Sequence, residues 1–402
     1  MRKVITAALA VCASGLALSS AAYADSNKLK IGVLTDMSGL FADMTGPGTV
    51  YSVEKAKAEV GGKVNGKDIE IVFADHQNKA DVASGIARKW FSSEGVDVIV
   101  NAAGSAVALS IVPLAKQYNK TLLVTGALSA QFSNEACSPN SVHYGLDTYA
   151  LANGFVRATI AQGKKSFFFI ATDYAFGKAL VKDSEGFIAK AGGTTKGAVY
   201  HPLNSTDFSS YLLQAQASGA EVIALANGAT DTANTVSQAA EFNIGRGKQS
   251  LAALSLFITD IHAMSTEKAQ GMTVVDGFYW NRDDESRAFS NDFFAKIKHM
   301  PTLYQAADYS ATKLFLQTAQ HVNWTDGAAM VAEMKKHPIN DFFARGGQIR
   351  EDGLLVHDLI LAQVKKPAEV KTPWDYYNIL ASIQGNTAFQ PLSESRCPLV
   401  KK

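Results

Sequence analysis

The sequence predicts an α/β protein built from two doubly wound parallel-sheet lobes. Two observations carry that expectation: short β-branched runs alternate with amphipathic helical stretches, and the whole pattern occurs twice at an offset of about 130 residues. The first half runs "KLKIGVLTD", "DIEIVFAD", "GVDVIVNAAGS" and "TLLVTGALS", and the second answers in the same order with "SFFFIATDYAFG", "GAVYHPLN", "GAEVIALANGATD" and "LAALSLFITD". Segments such as "TVYSVEKAKAEV", "DVASGIARKWFSSEG", "AVALSIVPLAKQY" and "KALVKDSEGFIAKAGG" separate them, apolar at helical spacing and often stopped by Gly. Apolar strands alternating with such helices give parallel sheets covered on both faces, and the right-handed crossover leaves few other topologies.

The N-terminus is a separate matter. Met1, Arg2 and Lys3 precede an apolar stretch that ends at Ala22-Tyr23-Ala24 before the polar Asp25, which reads as a secretory signal peptide over residues 1–24. A transmembrane helix is the alternative, but Ser and Gly interrupt the stretch and no stop-transfer charge follows it. Cys12 lies inside the stretch, not at the cleavage point, so no lipid anchor is expected. The remaining length of about 380 residues suits two domains better than one core. After the two halves come "TVVDGFYW", "SRAFSNDFFAKIKHM", "YQAADYSATKLFLQTAQHV" and "QIREDGLLVHDLILAQVK", too little for a third domain. They are expected to add elements to both lobes, so that the chain crosses between them several times: lobe 1 as 28–147 plus 279–350, lobe 2 as 148–278 plus 351–402.

A net charge of +1 offers no basic face for phosphate contacts, so nucleic acid is not expected as a partner. Beyond the leader only Cys137 and Cys397 remain, and an even count in an exported chain favours a disulfide, with loop-closure entropy of about 4 to 5 kcal/mol behind it. Catalytic constellations are missing: there is no GxSxG, HExxH or CxxC. "GGKVNGKD" (61–68) has phosphate-loop spacing, but Asp68 stands where Ser or Thr should hold a metal, and the loop follows a helix where it should follow a strand. It reads as a turn, and His76 and His201 read as ordinary loop groups. Neither an enzyme, a metal nor a cofactor is expected.

In doubly wound sheets ligands bind at the carboxyl ends of the strands. The residues there are Asp36–Thr45, Asp75–Gln77, Gly104–Ala106, Gly126–Ser129, Asp173–Gly177, Asn227–Asp231 and Leu256–Asp260. Within them Phe41, beside Ala42, either caps a core or stacks on a ligand. Ser105, Ala106 and Ser129, with Ala127 and Leu128, combine hydroxyls with helix-start N–H groups suited to a carboxylate, or else are simple helix caps. Lobe 2 offers Tyr149, Tyr174, Phe176, Asn227, Gly228 and Phe257, a wall richer in rings.

On "IGVLTDMSGLFADMTGPG", "ALSIVPLAKQYNKTLLVTGALS", "DYAFGKAL" and "HPLNSTDFSSYLLQAQASGAEVIALAN" the chain resembles the branched-chain amino-acid-binding (type I) periplasmic substrate-binding proteins of ABC transporters. The resemblance covers nearly the whole mature chain. It implies a periplasmic monomer of two lobes joined by a three-strand hinge, which closes on a small ligand and delivers it to an inner-membrane permease. In amino-acid-binding members a Ser and a Thr hold the carboxylate, a Tyr lies over the ligand, and an acidic residue takes the ammonium. Ser105 or Ala106 and Ser129 fall on the first positions and Tyr174 on the Tyr, but the acidic position falls near Leu256 and Phe257. An α-ammonium there would lack an anion unless Asp231 or Asp260 reached it, which costs several kcal/mol. "EACSPNSVHYGLDTYALANG" and "DFSSYLLQAQASGAEVIALAN" resemble the subgroup that takes up aromatic acids. The expected ligand is therefore a small aromatic carboxylate of benzoate, hydroxybenzoate or phenylpropenoate type, with an amino-acid or amide receptor, and a sensory protein on the same scaffold, as the alternatives.

Overall fold

The structure is a computed structural model and describes residues 28–245 and 247–401; the leader expected at 1–24 lies outside the described residues. The chain opens with β1 (Lys28–Thr35), α1 (Gly46–Glu59), β2 (Lys63–Val64), β3 (Lys67–Asp75), α2 (Ala80–Ser92), β4 (Val98–Asn101), α3 (Ser105–Gln117), β5 (Thr121–Val124) and β6 (Ser141–His143). Next come α4 (Thr148–Ala161), β7 (Ser166–Thr172), α5 (Ala175–Lys190), β8 (Thr194–His201), α6 (Ser209–Ala217), β9 (Val222–Ala226), α7 (Ala229–Ala239), β10 (Ser250–Ala253), α8 (Ile258–Met264), α9 (Thr266–Ala269) and β11 (Thr273–Asp276). The last part supplies α10 (Asp284–Ile297), α11 (Leu303–Thr318), α12 (Gly327–Met334), β12 (Ile339–Asn340), β13 (Arg345–Ile349), β14 (Leu355–Val356), β15 (Leu359–Val364), β16 (Tyr377–Ile383) and α13 (Gly385–Ala388).

The repeat read from the sequence is a repeat of sheet order. Lobe 1 has the order β2-β3-β1-β4-β5-β6 and lobe 2 the order β10-β9-β7-β8, so, leaving the two-residue β2 aside, in each lobe the first strand lies between the second and the third, with the fourth outside the third. Pairing is parallel except for the short β2 against β3. Central strands are apolar on both faces because helices cover both: β5 (TLLV) and β9 (VIALA) are buried throughout. The outer strands β3 and β8 keep many half-exposed positions, as edges do.

The late elements divide between the lobes. The helix α11 packs on α1, and α12 packs beside β5, both in lobe 1. Strands β11, β15 and β16 form an antiparallel sheet in lobe 2, and β12, β13 and β14 a second one that bridges to lobe 1 through His143 and Leu354. The chain thus passes between the lobes at the hinge three times, after β6, after β11 and after β14, and its tail crosses once more beyond α13. The third passage falls after Val356, later than the expected boundary at 350, because β14 stays paired with β13. The three passages meet closely at His357, which is buried, faces the backbone of Gly145, and would lie 3.3 Å from a Cβ at Gly277.

The tail also departs from the expected assignment of 351–402 to lobe 2. Beyond α13 it returns to lobe 1, where Asn134 donates to Gln390 at 2.8 Å, Ser395 to the Ser133 carbonyl at 3.1 Å, and Arg396 pairs with Glu135 at 2.6 Å. Cys137 and Cys397 are disulfide-bonded across a separation of 260 residues. No helix among the described residues is long and apolar enough to cross a membrane. Opening so long a loop in the unfolded chain is entropically favourable, so replacing both cysteines by Ser should lower unfolding free energy by roughly 3 to 5 kcal/mol. Denaturant titration of the oxidised protein and the double variant checks this, and coincident midpoints would contradict it.

Candidate functional site

The carboxyl ends of the two sheets face each other across a cleft of about 540 Å³, its mouth included. Lobe 1 contributes Leu40, Phe41, Met44 and Thr45 after β1, Gly104 and Ser105 after β4, and Gly126, Ala127 and Leu128 after β5, with Tyr304 from α11. Lobe 2 contributes Thr172, Tyr174 and Phe176 around the end of β7, Leu203 after β8, Gly228 after β9 and Ser255 after β10. None of these lining residues is charged.

Each wall is held from behind. The loop carrying Phe41 folds around the Asp36 carboxylate, which accepts the N–H of Gly39 at 2.7 Å and of Phe41 at 3.0 Å. Tyr304 is placed by the first turn of α11, where Thr302 donates to the Met44 carbonyl at 2.7 Å and Gln305 to the Thr45 carbonyl at 3.0 Å. Below the loops after β4 and β5 lies a buried network. The Asp308 carboxylate accepts from Asn101 at 3.1 Å and from the Thr125 hydroxyl, and burial raises its pKa to about 6.

Behind the wall the Ala127 carbonyl accepts from His143 at 2.9 Å and the Leu128 carbonyl from the Thr148 N–H at 2.7 Å. Burial lowers the pKa of His143 to about 4, so its ring is neutral at neutral pH. With their carbonyls turned inward, Ala127 and Leu128 have N–H groups that make no hydrogen bond to other described residues. Beside them Ser105 accepts the Ser129 N–H at 3.3 Å, which leaves its own hydroxyl proton free. Ser105 also starts α3, where the helix dipole is positive. Across the cleft the Tyr174 hydroxyl accepts the Ala106 N–H at 3.0 Å and donates to Asn78 at 3.3 Å.

Of the residues expected from sequence, Phe41, Ser105, Ala127, Leu128, Tyr174, Phe176 and Gly228 line the cleft. The others do not. Ser129 is fully buried and caps the following turn by accepting the Gln131 N–H. Ala42 sits in the loop one residue beyond Phe41, and Ala106 offers only its N–H, to Tyr174. Tyr149 packs on Phe187 at 4.8 Å between α4 and α5. Asn227 turns into lobe 2 to meet His201 and Thr235, each at 3.2 Å. Phe257 is fully buried behind Tyr304, ring centroids 5.4 Å apart. His76 and His201 are buried too.

Neither acidic candidate lines the cleft. Asp260 caps α8 through the Phe257 N–H at 2.9 Å, and Asp231 accepts the Asn204 N–H at 3.2 Å. Burial raises the pKa of Asp260 to about 7 and that of Asp231 to about 6. Tyr304, Leu203, Thr172 and Ser255 are wall residues that the sequence did not single out. Thr172 and Ser255 sit just before the strand-end loops Asp173–Gly177 and Leu256–Asp260, whereas Tyr304 comes from a helix start far along the chain.

A family model described as periplasmic binding protein matches residues 28–369. The chain belongs to that family. The fold agrees: a periplasmic binding protein from Burkholderia mallei is 47% identical with a TM-score of 0.91, covering 93% of this chain and 100% of its own. A branched-chain amino acid ABC transporter periplasmic ligand-binding protein from Burkholderia xenovorans LB400 is 37% identical with a TM-score of 0.83, covering 92% and 100%. Among curated proteins, Leu/Ile/Val-binding protein homolog 6 of Brucella abortus is 29% identical over 223 residues, and the chain spans 55% of its length.

The cap role of Asp260 in this binding protein has a pH consequence. Its folded pKa near 7 lies above the unfolded carboxylate value, so its contribution is fully present below about pH 4 and lost as pH rises through 7. Asp260→Asn stays neutral throughout. Wild type should therefore lose stability relative to the variant between pH 5 and pH 8, on the order of 2 kcal/mol. Urea unfolding of both proteins at the two pH values checks it, and a difference that does not change with pH would contradict the assignment.

Proposed function

We propose that this binding protein is the receptor of an ABC transporter, closing on a small aromatic monocarboxylate in the periplasm and handing it to an inner-membrane permease. One observation carries the reading: the cleft wall is uncharged, yet lobe 1 presents free N–H and hydroxyl donors, and rings come from both lobes. A carboxylate seated on the Ser105 hydroxyl and the Ala127 and Leu128 N–H groups gains charge-assisted hydrogen bonds at the positive end of α3. The ligand's ring then lies among Phe41, Phe176 and Tyr174, where apolar contact and ring geometry are favourable. Ser255, Thr172 and the Tyr304 hydroxyl remain for a polar substituent at the far end.

An amino acid brings an ammonium as well. Without a wall carboxylate its burial costs several kcal/mol, which weighs against the competing amino-acid reading suggested by the Burkholderia xenovorans relative. Binding without turnover is part of the proposal.

Benzoate, hydroxybenzoates and cinnamate should raise the melting temperature at neutral pH, by about 2.7 kcal/mol of stabilisation at a hundredfold excess over Kd, while leucine and valine leave it unchanged. A shift with the amino acids alone would reject the ligand class, and chemical conversion of a stabilising ligand would reject the receptor reading. Ser105→Ala should weaken carboxylate binding by about 1 to 3 kcal/mol in calorimetric titration, and an unchanged Kd would remove Ser105 from the anchor.

A further inference from the structure

We propose that the Tyr174 hydroxyl is an interlobe latch, which holds the lobes closed through Asn78 and the first turn of α3 whatever the cleft contains. Tyr174 belongs to lobe 2, where it is the residue that precedes α5 and bonds back to the Thr172 carbonyl at 2.8 Å. Both hydroxyl partners belong to lobe 1 and to different segments. The hydroxyl accepts the Ala106 N–H at 3.0 Å and gives its single proton to the Asn78 side chain at 3.3 Å. That leaves no donor for a ligand.

The lobe 1 side is shaped for this contact. Asn78 has a left-handed backbone, φ +51, and its N–H is fixed on the His76 ring at 3.0 Å. Gly104 has φ +88, and a Cβ there would lie 2.7 Å from the Tyr174 oxygen and 2.5 Å from the Asn78 side-chain oxygen. Only a residue without a side chain leaves the gap through which lobe 2 reaches α3. The Ala106 N–H is one of the donors that every helix start leaves without an intrahelical partner. Closure thus satisfies a helix donor, an amide oxygen and a phenol at once, and burial pushes the phenol pKa to about 12, which keeps it protonated.

The consequence separates two roles of one side chain. The ring of Tyr174 contributes to the cleft wall, whereas its hydroxyl sets the population of the closed state. Removing the hydroxyl scales the affinity for every ligand by a common factor, since each ligand needs the same closed form. The latch rests on the two-lobe receptor reading and not on the ligand class.

Spin labels, one on each lobe, would report the interlobe distance by double electron–electron resonance in protein dialysed free of small molecules. Tyr174→Phe is expected to lower the ratio of closed to open protein by about tenfold, as two hydrogen bonds are lost. Asn78→Ala, made on the opposite lobe, is expected to lower it by a smaller factor. A distance distribution unchanged by Tyr174→Phe overturns the latch. No ligand is added, so failure of the melting-temperature panel would reject the aromatic carboxylate and leave this result standing.

Discussion

Two sheets with the same strand order point their carboxyl ends at each other, and the site depends on that arrangement. In a parallel sheet the loops after the strands lead into helix starts, so these ends collect unbonded N–H groups and short polar side chains. Doubling the sheet puts two such edges on either side of one cleft. The wall segments from Leu40 to Thr45 and from Gly126 to Leu128 come from one sheet, and Thr172 to Phe176, Leu203, Gly228 and Ser255 from the other. The buried Asp308 network beneath the lobe 1 loops keeps the donors aimed outward, with Asn101 and Thr125 bonded inward to the same carboxylate.

On the proposed reading, electrostatics then select among ligands without any ionised side chain on the wall. Charge on the ligand must be met by dipoles, and the dipoles available are donors: N–H groups, a serine hydroxyl and a helix start. That arrangement suits an anion, and no carboxylate stands among the lining residues to pair with a cation. The acidic groups of lobe 2 nearest to this role are used elsewhere, Asp260 on the first turn of α8 and Asp231 on the Asn204 N–H.

Much of this was legible in the sequence for a definite reason. Alternating strands and helices repeated in order fix the sheets, and the sheets fix which loops face the cleft, so Phe41, Ser105 and Tyr174 could be found from spacing alone. The even cysteine count likewise anticipated the bond between Cys137 and Cys397. Ser129 could not be resolved, because a cap and a ligand contact use the same residue type at the same place. Phe257 and Asn227 follow strands as wall residues do, but their side chains turn inward, one behind Tyr304 and the other onto His201. Tyr304 was hidden because α11 reaches the cleft only through the third dimension. The place of the third passage, after Val356, was equally invisible to local pattern, since short strands such as β14 carry almost no periodic signal.

The central claim is that an uncharged wall of donors and rings takes a monocarboxylate without an ammonium. Native mass spectrometry of the protein purified from cells without added ligand, with release and identification of the bound small molecule, tests it most directly. The account predicts an aromatic monocarboxylate lacking an amine. Recovery of an α-amino acid would contradict it.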